Sequence, residues 1–458
     1  MKNSASLRKD KAFENPDELA CLFQDLVHWP EEWRGKRERL YTPSTTFWMF
    51  LAQVFYTGAS CQEMVARFIA RLTTTNREAS ANNAAYCKAR MRLPQEAINH
   101  VHQDLVKQAS ALAPRETRWG GRPVKVLDGS SVSMPDTPAN QAQYPQPNTQ
   151  KKGCGFPVMR LTVLFSLSTG AVLAYAKDAL AVHERTLFHR LWHSLEKDDI
   201  LLADRGFCGY ADFHLLLQRG IDCVMRKHQR RGKSSSLEKK LGKKDALMRW
   251  RNTGKPKWLS MDEWRKLPET MVVREISIDI TTPGFRTKHV TITTTLRDHK
   301  KFPPEYFAEL YRRRWAAELY LRDIKTTMAM DVLRCESPAM IHKELTMYLI
   351  AYNLLRITMM QAARRAGETQ RAISFKSSLA TLRQWAPYFL KLHHRPRKRL
   401  KLHCALLDTT AKNRLPNRPD RVEPRARKRR PKNYPLLTKP RQDFEEIPHR
   451  NNYRATQS

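Results

Sequence analysis

Residues 199–207 read DILLADRGF. Ile200, Leu201, Leu202 and Ala203 form an unbroken apolar run too short for a helix with two distinct faces. The run ends abruptly in Asp204, Arg205 and Gly206. That pattern predicts a short buried strand with a carboxylate at its C-terminal end. Packing alone gives little reason to close a buried strand on Asp-Arg-Gly, and Gly206 permits close approach of backbone or ligand.

Working outward, the neighbouring segments alternate. Residues 209–220, GYADFHLLLQRG, predict a helix, and 221–228, IDCVMRKH, another strand. Upstream, 183–195, HERTLFHRLWHSL, predict an amphipathic helix. Residues 158–179 predict two strands turning near Ser168, Thr169 and Gly170, and 123–134, PVKVLDGSSVSM, alternate as a strand. A polar, proline-rich loop is expected over 135–157. The order β, β-β, α, β, α, β predicts an α/β fold: a mixed sheet with helices on its faces.

The rhythm changes on either side. Residues 1–115 are expected to be helical. Ser60 and Glu63 mark a capping box after the Gly58 turn, in an arrangement like a helix-turn-helix. The segment 80–94, SANNAAYCKARMRLP, predicts a basic helix whose Lys88, Arg90 and Arg92 either contact a DNA duplex or form the solvated face of a core bundle. Residues 229–302 open basic and loop-rich and continue as a β-hairpin turning at Pro283-Gly284. Helices are expected over 303–328 and 337–366, with a last helical stretch from about 370. Residues 421–434, RVEPRARKRRPKNY, are expected to be disordered or bound to nucleic acid. No internal repeats occur.

The chain has 458 residues, a length that suggests two to four domains, and 41% are hydrophobic. Its 82 Lys and Arg outnumber 45 acidic residues, for a formal charge of +37. Such an excess points to a polyanionic partner, nucleic acid before anionic membrane. No apolar run reaches the ~20 residues of a spanning helix, and the N-terminus lacks the apolar core of a secretory signal. A cytoplasmic protein acting on nucleic acid is therefore expected, with no membrane partner. The eight cysteines form no CxxC pair, which argues against a zinc ribbon or a disulfide framework. His189 and His193 lie four apart but lack the glutamate of an HExxH zinc site.

Residues 311–325, YRRRWAAELYLRDIK, predict a continuous helix. At 100° per residue, Tyr311, Arg314, Glu318 and Lys325 fall within an arc of roughly 60°, a polar seam between bulky apolar flanks. The seam either faces a charged partner or is a solvated face of i,i+4 pairs. Asp128, in VLDGS, and Asp204 end two strands, where sites of α/β sheets collect. Three carboxylates from two strands and a helix suit two divalent cations about 3.5–4 Å apart, the arrangement of phosphoryl transfer. Oxygen-only ligands favour Mg2+ or Mn2+. Arg314 and Lys325 would meet phosphates. Asp136, Asp198, Asp199 and Asp323 read as loop, cap or surface groups.

Together these residues resemble the DDE transposases of bacterial insertion sequences, specifically the insertion sequence 4 family with its signature Y-(2)-R-(3)-E-(6)-K. Tyr311, Arg314, Glu318 and Lys325 meet that signature in full, and the resemblance runs over about 40–400. It implies an RNase H-like core in two parts, 122–228 and 303–370, interrupted by a β-rich insertion at 229–302. It further implies a helical DNA-binding domain at 1–115 and a basic C-terminal region at 371–458. Asp128, Asp204 and Glu318 would be the catalytic triad holding two Mg2+, with Mn2+ as a substitute. Tyr311, Arg314 and Lys325 would contact phosphates. The implied activity is cut-and-paste transposition of double-stranded DNA between terminal inverted repeats and a target. It would pass through a hairpin, inside a homodimeric synaptic complex. Trp250, Trp258 or Trp264 would offer a ring for an unstacked base, or would simply pack. An inactive DNA-binding regulator and a nuclease without strand transfer are the alternatives.

Overall fold

In the computed structural model, residues 17–33, 39–74, 78–114, 117–229, 234–279, 289–416 and 437–445 are described. The Pro283-Gly284 turn and the basic stretch 421–434 lie outside them. Nine strands form one sheet in the order β3-β2-β1-β4-β5-β9-β8-β7-β6. Strands β1 (Val124–Ser133), β2 (Val158–Ser166) and β3 (Val172–Ala179) pair antiparallel. Then β4 (Ile200–Ala203) joins β1 in parallel, and β5 (Asp222–Arg226) joins β4 in parallel.

Residues 235–294 continue the sheet. β9 (His289–Thr294) lies antiparallel to β5, followed by β8 (Thr270–Asp279), β7 (Asp245–Arg251) and β6 (Ser235–Gly242). The β6–β7 hairpin occupies sequence that reads as a basic loop. Its outward positions, such as Glu238, Lys239 and Lys240, are charged on an exposed edge strand, which masks the alternation. The 135–157 loop likewise holds a short helix, α6 (Pro138–Gln143), capped by Thr137.

Alternation along the strands divides two cores. Val126, Val163, Leu202 and Val224 face one core; Leu127, Leu164, Leu201 and Met225 face the other. On the second face lie α7 (Glu184–Arg190) and α8 (Tyr210–Gln218), bringing Leu187, Phe188 and Phe213. The first face merges with the N-terminal helices, among them α2 (Pro43–Phe55), α3 (Cys61–Thr73), α4 (Ala84–Arg92) and α5 (Gln95–Ala111), in one continuous apolar core. Ser60 caps α3 by accepting from the Glu63 N–H. A reciprocal capping box instead starts α9 (Met261–Arg265), between Ser260 and Glu263.

At the centre runs α12 (Pro338–Arg365), buried along most of its length. Pro338 begins it, no interior Gly or Pro interrupts it, and Gly367 follows its end at φ +64°. A helix apolar around its circumference must be enclosed. It packs against α2, α5, β3 and the C-terminal helices α13 (Phe375–Lys391) and α14 (Pro396–Lys412). Its buried Asn353 uses both ends of its amide on the backbone of Val172, accepting from N–H and donating to C=O, each at 2.9 Å. Edge strand β3 is thereby tied down.

Candidate active site

The sheet register sets the first two carboxylates. Val126 pairs with Leu202 across β1 and β4. Two residues further along each chain stand Asp128 and Asp204, so they lie level, on strands roughly 5 Å apart. Asp204 keeps extended backbone angles as it caps the following turn. The period of two also turns both side chains toward the face that carries Val126 and Leu202. Asp128 accepts from the Gly129 N–H at 2.9 Å, and Asp204 from the Gly206 N–H at 2.7 Å.

The third carboxylate comes from a helix on that same face, but the helix is broken. α10 (Pro304–Arg313) stops at a turn through Arg314 and Trp315, and α11 (Ala316–Arg322) resumes for seven residues. A π-helical turn, Asp323–Thr327, follows. The uniform 100° step that gathers Tyr311, Arg314, Glu318 and Lys325 into one seam therefore does not operate. Arg314, Glu318 and Lys325 nevertheless line one pocket of about 430 Å³ with Asp128 and Asp204. Tyr311 packs beside it, 5.7 Å from the Arg314 guanidinium, and burial raises its phenol above the usual range.

The broken segment is held from behind. Arg356 on α12 donates to Asp323 at 3.1 Å and to the Tyr352 hydroxyl at 2.8 Å, and stacks on Tyr320, Tyr352 and Phe375. Tyr352 donates in turn to the Gly170 carbonyl at 2.8 Å. Beyond the π-turn, Ala329 takes a left-handed φ of 62°, unusual for a residue with a β-carbon. The chain then docks along the end of β1: the Ser133 N–H donates to Asp331, and Leu333 donates to Ser133. Of the acids read as loop, cap or surface groups, Asp323 and Asp199 are buried, Asp199 still in a loop where it accepts from the Glu196 N–H at 2.6 Å. Asp323 is buried against Arg356, and Asp199 is buried against Lys125 at 2.7 Å, each neutralised where water is excluded.

The pocket is electrostatically loaded. Burial pushes the Asp128 carboxyl up to about 6; the Gly129 N–H and Arg314 oppose this, while Glu318 and Asp204 add to it. Glu318, whose side chain is 58% exposed, accepts from Arg314 at 2.9 Å. A further carboxylate, absent from the sequence reading, stands close by. Glu184 at the start of α7 is raised by burial, then by Asp204, against the lowering effect of Arg160, with Asp128 adding to the rise. Its only sequence signal is a first-turn acid after His183, indistinguishable from ordinary helix-start chemistry.

Among the described residues no three His, Cys, Asp or Glu side chains are grouped closely enough to hold an ion. The donor chemistry still suits a hard divalent cation: the carboxylates offer only oxygen, and their mutual repulsion is what a cation relieves. Asp128 and Asp204 stand level on the sheet, and Glu318 is turned to Arg314.

Other sequence candidates fall elsewhere. Lys88 and Arg92 are exposed on α4. Arg90, expected beside them at a DNA surface, is buried. Its guanidinium lies 4.1 Å over Phe50 and donates to the sulfurs of Cys61 and Cys335 at 2.8 and 2.9 Å. On α4 residue 90 shares its face with Tyr86, which points into the core. His189 bonds Asp212 at 2.7 Å, Arg185 also pairs with Asp212, and Trp258 packs on the His189 ring. Trp250 is fully buried and donates to Glu275 at 2.9 Å, so it offers no face to a base. Trp258 and Trp264 are half-buried around Leu259 and Leu267. All eight cysteines are free thiols. No helix among the described residues is long and apolar enough to cross a membrane.

Residues 119–354 match the family model described as "Transposase DDE domain". The transposase InsG of insertion sequence element IS4 from Escherichia coli is 26% identical over 366 residues, 78% of each chain. The putative transposase InsZ of the same organism is 24% identical over 207 residues, 42% of this chain and 66% of its own. A cryo-EM structure of a piggyBac transposase synaptic complex with hairpin DNA aligns with a TM-score of 0.42 at 10% identity. That alignment covers 88% of this chain and 86% of the other.

Proposed function

Since the chain belongs to the transposase DDE domain family, we propose that it binds the terminal inverted repeats of an insertion sequence and catalyses metal-dependent cleavage and strand transfer of double-stranded DNA. The observation that carries this reading is the meeting of Asp128, Asp204 and Glu318 with Arg314 and Lys325 at one pocket. Two Mg2+ ions, or Mn2+ in their place, held by Asp128, Asp204 and Glu318, would supply Lewis-acid stabilisation and an ionised nucleophile.

The side chains divide the rest of the work. Asp128 and Asp204 give oxygens fixed by the sheet. Arg314 passes from Glu318 to a phosphate oxygen as DNA enters, since a guanidinium matches a phosphate as well as a carboxylate. That exchange frees the Glu318 carboxylate only when substrate is present. Lys325 and Tyr311 hold neighbouring phosphates of the cleaved end. A water hydrolyses one strand to leave a 3′-hydroxyl on the element's end. That hydroxyl attacks the opposite phosphodiester, closing a hairpin and releasing the flanking 3′-hydroxyl. A second water reopens the hairpin, and the restored 3′-hydroxyl attacks a target phosphodiester, displacing a target 3′-hydroxyl.

The proposed division keeps 122–228 and 303–370 as an RNase H-like core, which the order of three antiparallel and two parallel strands supports. Residues 229–302 form the insertion, 1–115 the DNA-binding domain with Lys88 and Arg92 outward, and 371–458 the basic C-terminal region. The protein would act in the cytoplasm as a homodimer joining two ends. The test is incubation with Mg2+ and a duplex ending in the element's own terminal repeat. Strand-transfer products are expected. Cleavage without joining would reduce the activity to that of a nuclease, and binding alone would overturn the reading.

A further inference from the structure

Arg313 ends α10 and stands inside the first gap of the four-residue signature, between Tyr311 and Arg314. Arg314 lines the pocket of the three acids, whereas Arg313 lines a separate cavity of about 820 Å³. Around that cavity also stand Arg364, in the last turn of α12, and Arg371, in the 3-10 turn Gln370–Ala372 that follows. Arg364 and Arg371 are exposed at its rim, and Arg313 is half-buried. The Arg313 Nε is buried with no partner, and among the described residues no hydrogen bond or ion pair engages any of the three guanidiniums. Burial, then repulsion from Arg371, lower the Arg313 guanidinium below its ordinary range, and Glu309, one turn back on α10, opposes this only in part. Glu368, the one acid lining the cavity among the described residues, is paired with Arg414. The C-terminal ends of α5 and α12 border the space. Each supplies roughly half a negative charge, so about two of the three positive charges remain uncompensated. A desolvated cation without an acceptor is costly, and a second cation beside it adds to the cost. An anion in the cavity relieves both.

We propose that this cavity is a second phosphate site, where Arg313, Arg364 and Arg371 hold the backbone of the bound duplex away from the scissile phosphate. The inference rests on the DNA-binding reading above. A polyanion fits better than a small anion because two of the three cations stand at the open rim and the chain carries a formal charge of +37. Arg313 and Arg314 are consecutive, with Cα atoms about 3.8 Å apart, so one duplex can occupy both spaces. The cavity also shares its frame with the active-site segment: Gln370 donates to the Arg356 carbonyl at 3.1 Å, and the Arg356 side chain holds Asp323 of the π-turn.

The experiment measures binding of the full chain to a duplex ending in the element's terminal repeat, by fluorescence anisotropy over a salt series in EDTA, so that no strand is cut. Arg313→Gln, Arg364→Gln and Arg371→Gln should each flatten the plot of log affinity against log salt by about 0.9. The triple variant should flatten it by about two to three and bind about tenfold or more weakly at about 0.1 M salt. Arg365→Gln, next to Arg364 but paired with Asp408 at 2.6 Å, is the reference for losing a charge without losing a contact, and should leave the slope unchanged. Melting without DNA checks folding; Arg313→Gln should be at least as stable as the parent because a repulsion is gone. If the triple variant keeps the parent's slope and affinity, or if Arg365→Gln flattens the slope as much as Arg364→Gln does, the second site is overturned and the DNA-binding reading stands. If inorganic pyrophosphate raises the melting temperature of the parent but not of the triple variant, while the two share one DNA slope, the cavity takes a free anion and the DNA contact is overturned. If the parent does not bind the duplex, the reading beneath the proposal falls with it.

Discussion

Asp128 and Asp204 stand at matched heights on two strands in the middle of a nine-stranded sheet, while Glu318 stands on a seven-residue helix between a turn and a π-helical turn. The strand acids are half-buried and anchored by backbone N–H groups; the helix acid is largely exposed and paired with its own neighbour. A ladder of backbone hydrogen bonds fixes position and costs cooperative unfolding to disturb. A short helix between two irregular turns is adjustable, and π-turns recur at functional sites. The site therefore joins a fixed half, held by backbone N–H groups, to a movable half held by an ion pair with Arg314.

The sharpest way to break this contrast is to neutralise the fixed half. Asp204→Asn should leave DNA binding in a mobility-shift assay and lower strand cleavage by on the order of 10³-fold, the loss expected when one ligand of a catalytic cation is removed. Normal cleavage by that variant would remove the strand acids from the chemistry. The movable half depends instead on its support from α12. Arg356→Met strands Asp323 without its partner in the core and should cost about 3–5 kcal/mol in a denaturant titration. A neutral result would mean that the π-turn is held by something other than this pair.

The fixed half also carries a stability cost that can be measured. The folded Asp128 carboxyl titrates near 6, above the ordinary value of 3.8. A raised acid is favoured in its protonated form, so the cost is absent below about pH 4 and complete above about pH 6. In EDTA at pH 7.5, Asp128→Asn should therefore be more stable than the parent by on the order of 2–3 kcal/mol, and no more stable at pH 3.5. Equal melting at both pH values would show that Asp128 is not under strain. The smallest effect concerns the switch. Arg314→Lys keeps the charge but loses the planar fork, and should lower cleavage about tenfold with little change in Mn2+ affinity. A variant as active as the parent would show that the guanidinium does not hand Glu318 over.

Much of this arrangement was legible from the residues. The apolar run before Asp204 and the alternation through Asp128 predict strands, and both are strands, because a period of two and a buried sheet leave little choice. The four-residue signature marks the helical segment that lines the pocket. Its break at Arg314 and Trp315 was not legible, since nothing in YRRRWAAELYLRDIK opposes helix propensity; the π-turn that follows is held by Arg356 on α12, and residues 331–333 dock on β1. Lys88 and Arg92 face outward as expected, whereas Arg90 is drawn inward by an aromatic ring and two thiols brought from sequence positions far away. The β6–β7 hairpin is not legible because an exposed edge strand needs charge on its surface, which erases the hydrophobic signal.

By itself the sequence determined the α/β class, the short strand that ends at Asp204 and the strongly basic character, since each depends on local periodicity or simple composition. Asp128, expected at a strand end, lies in the middle of β1, which runs on to Ser133 because β2 pairs with it from Lys125 to Ser133. Only the tertiary structure decided that Asp128 and Asp204 stand level, that Glu318 turns to Arg314, and that Glu184 fills the space left by Gly129. Register between strands and the packing of one helix on another are contacts between distant residues, and local pattern carries no record of them.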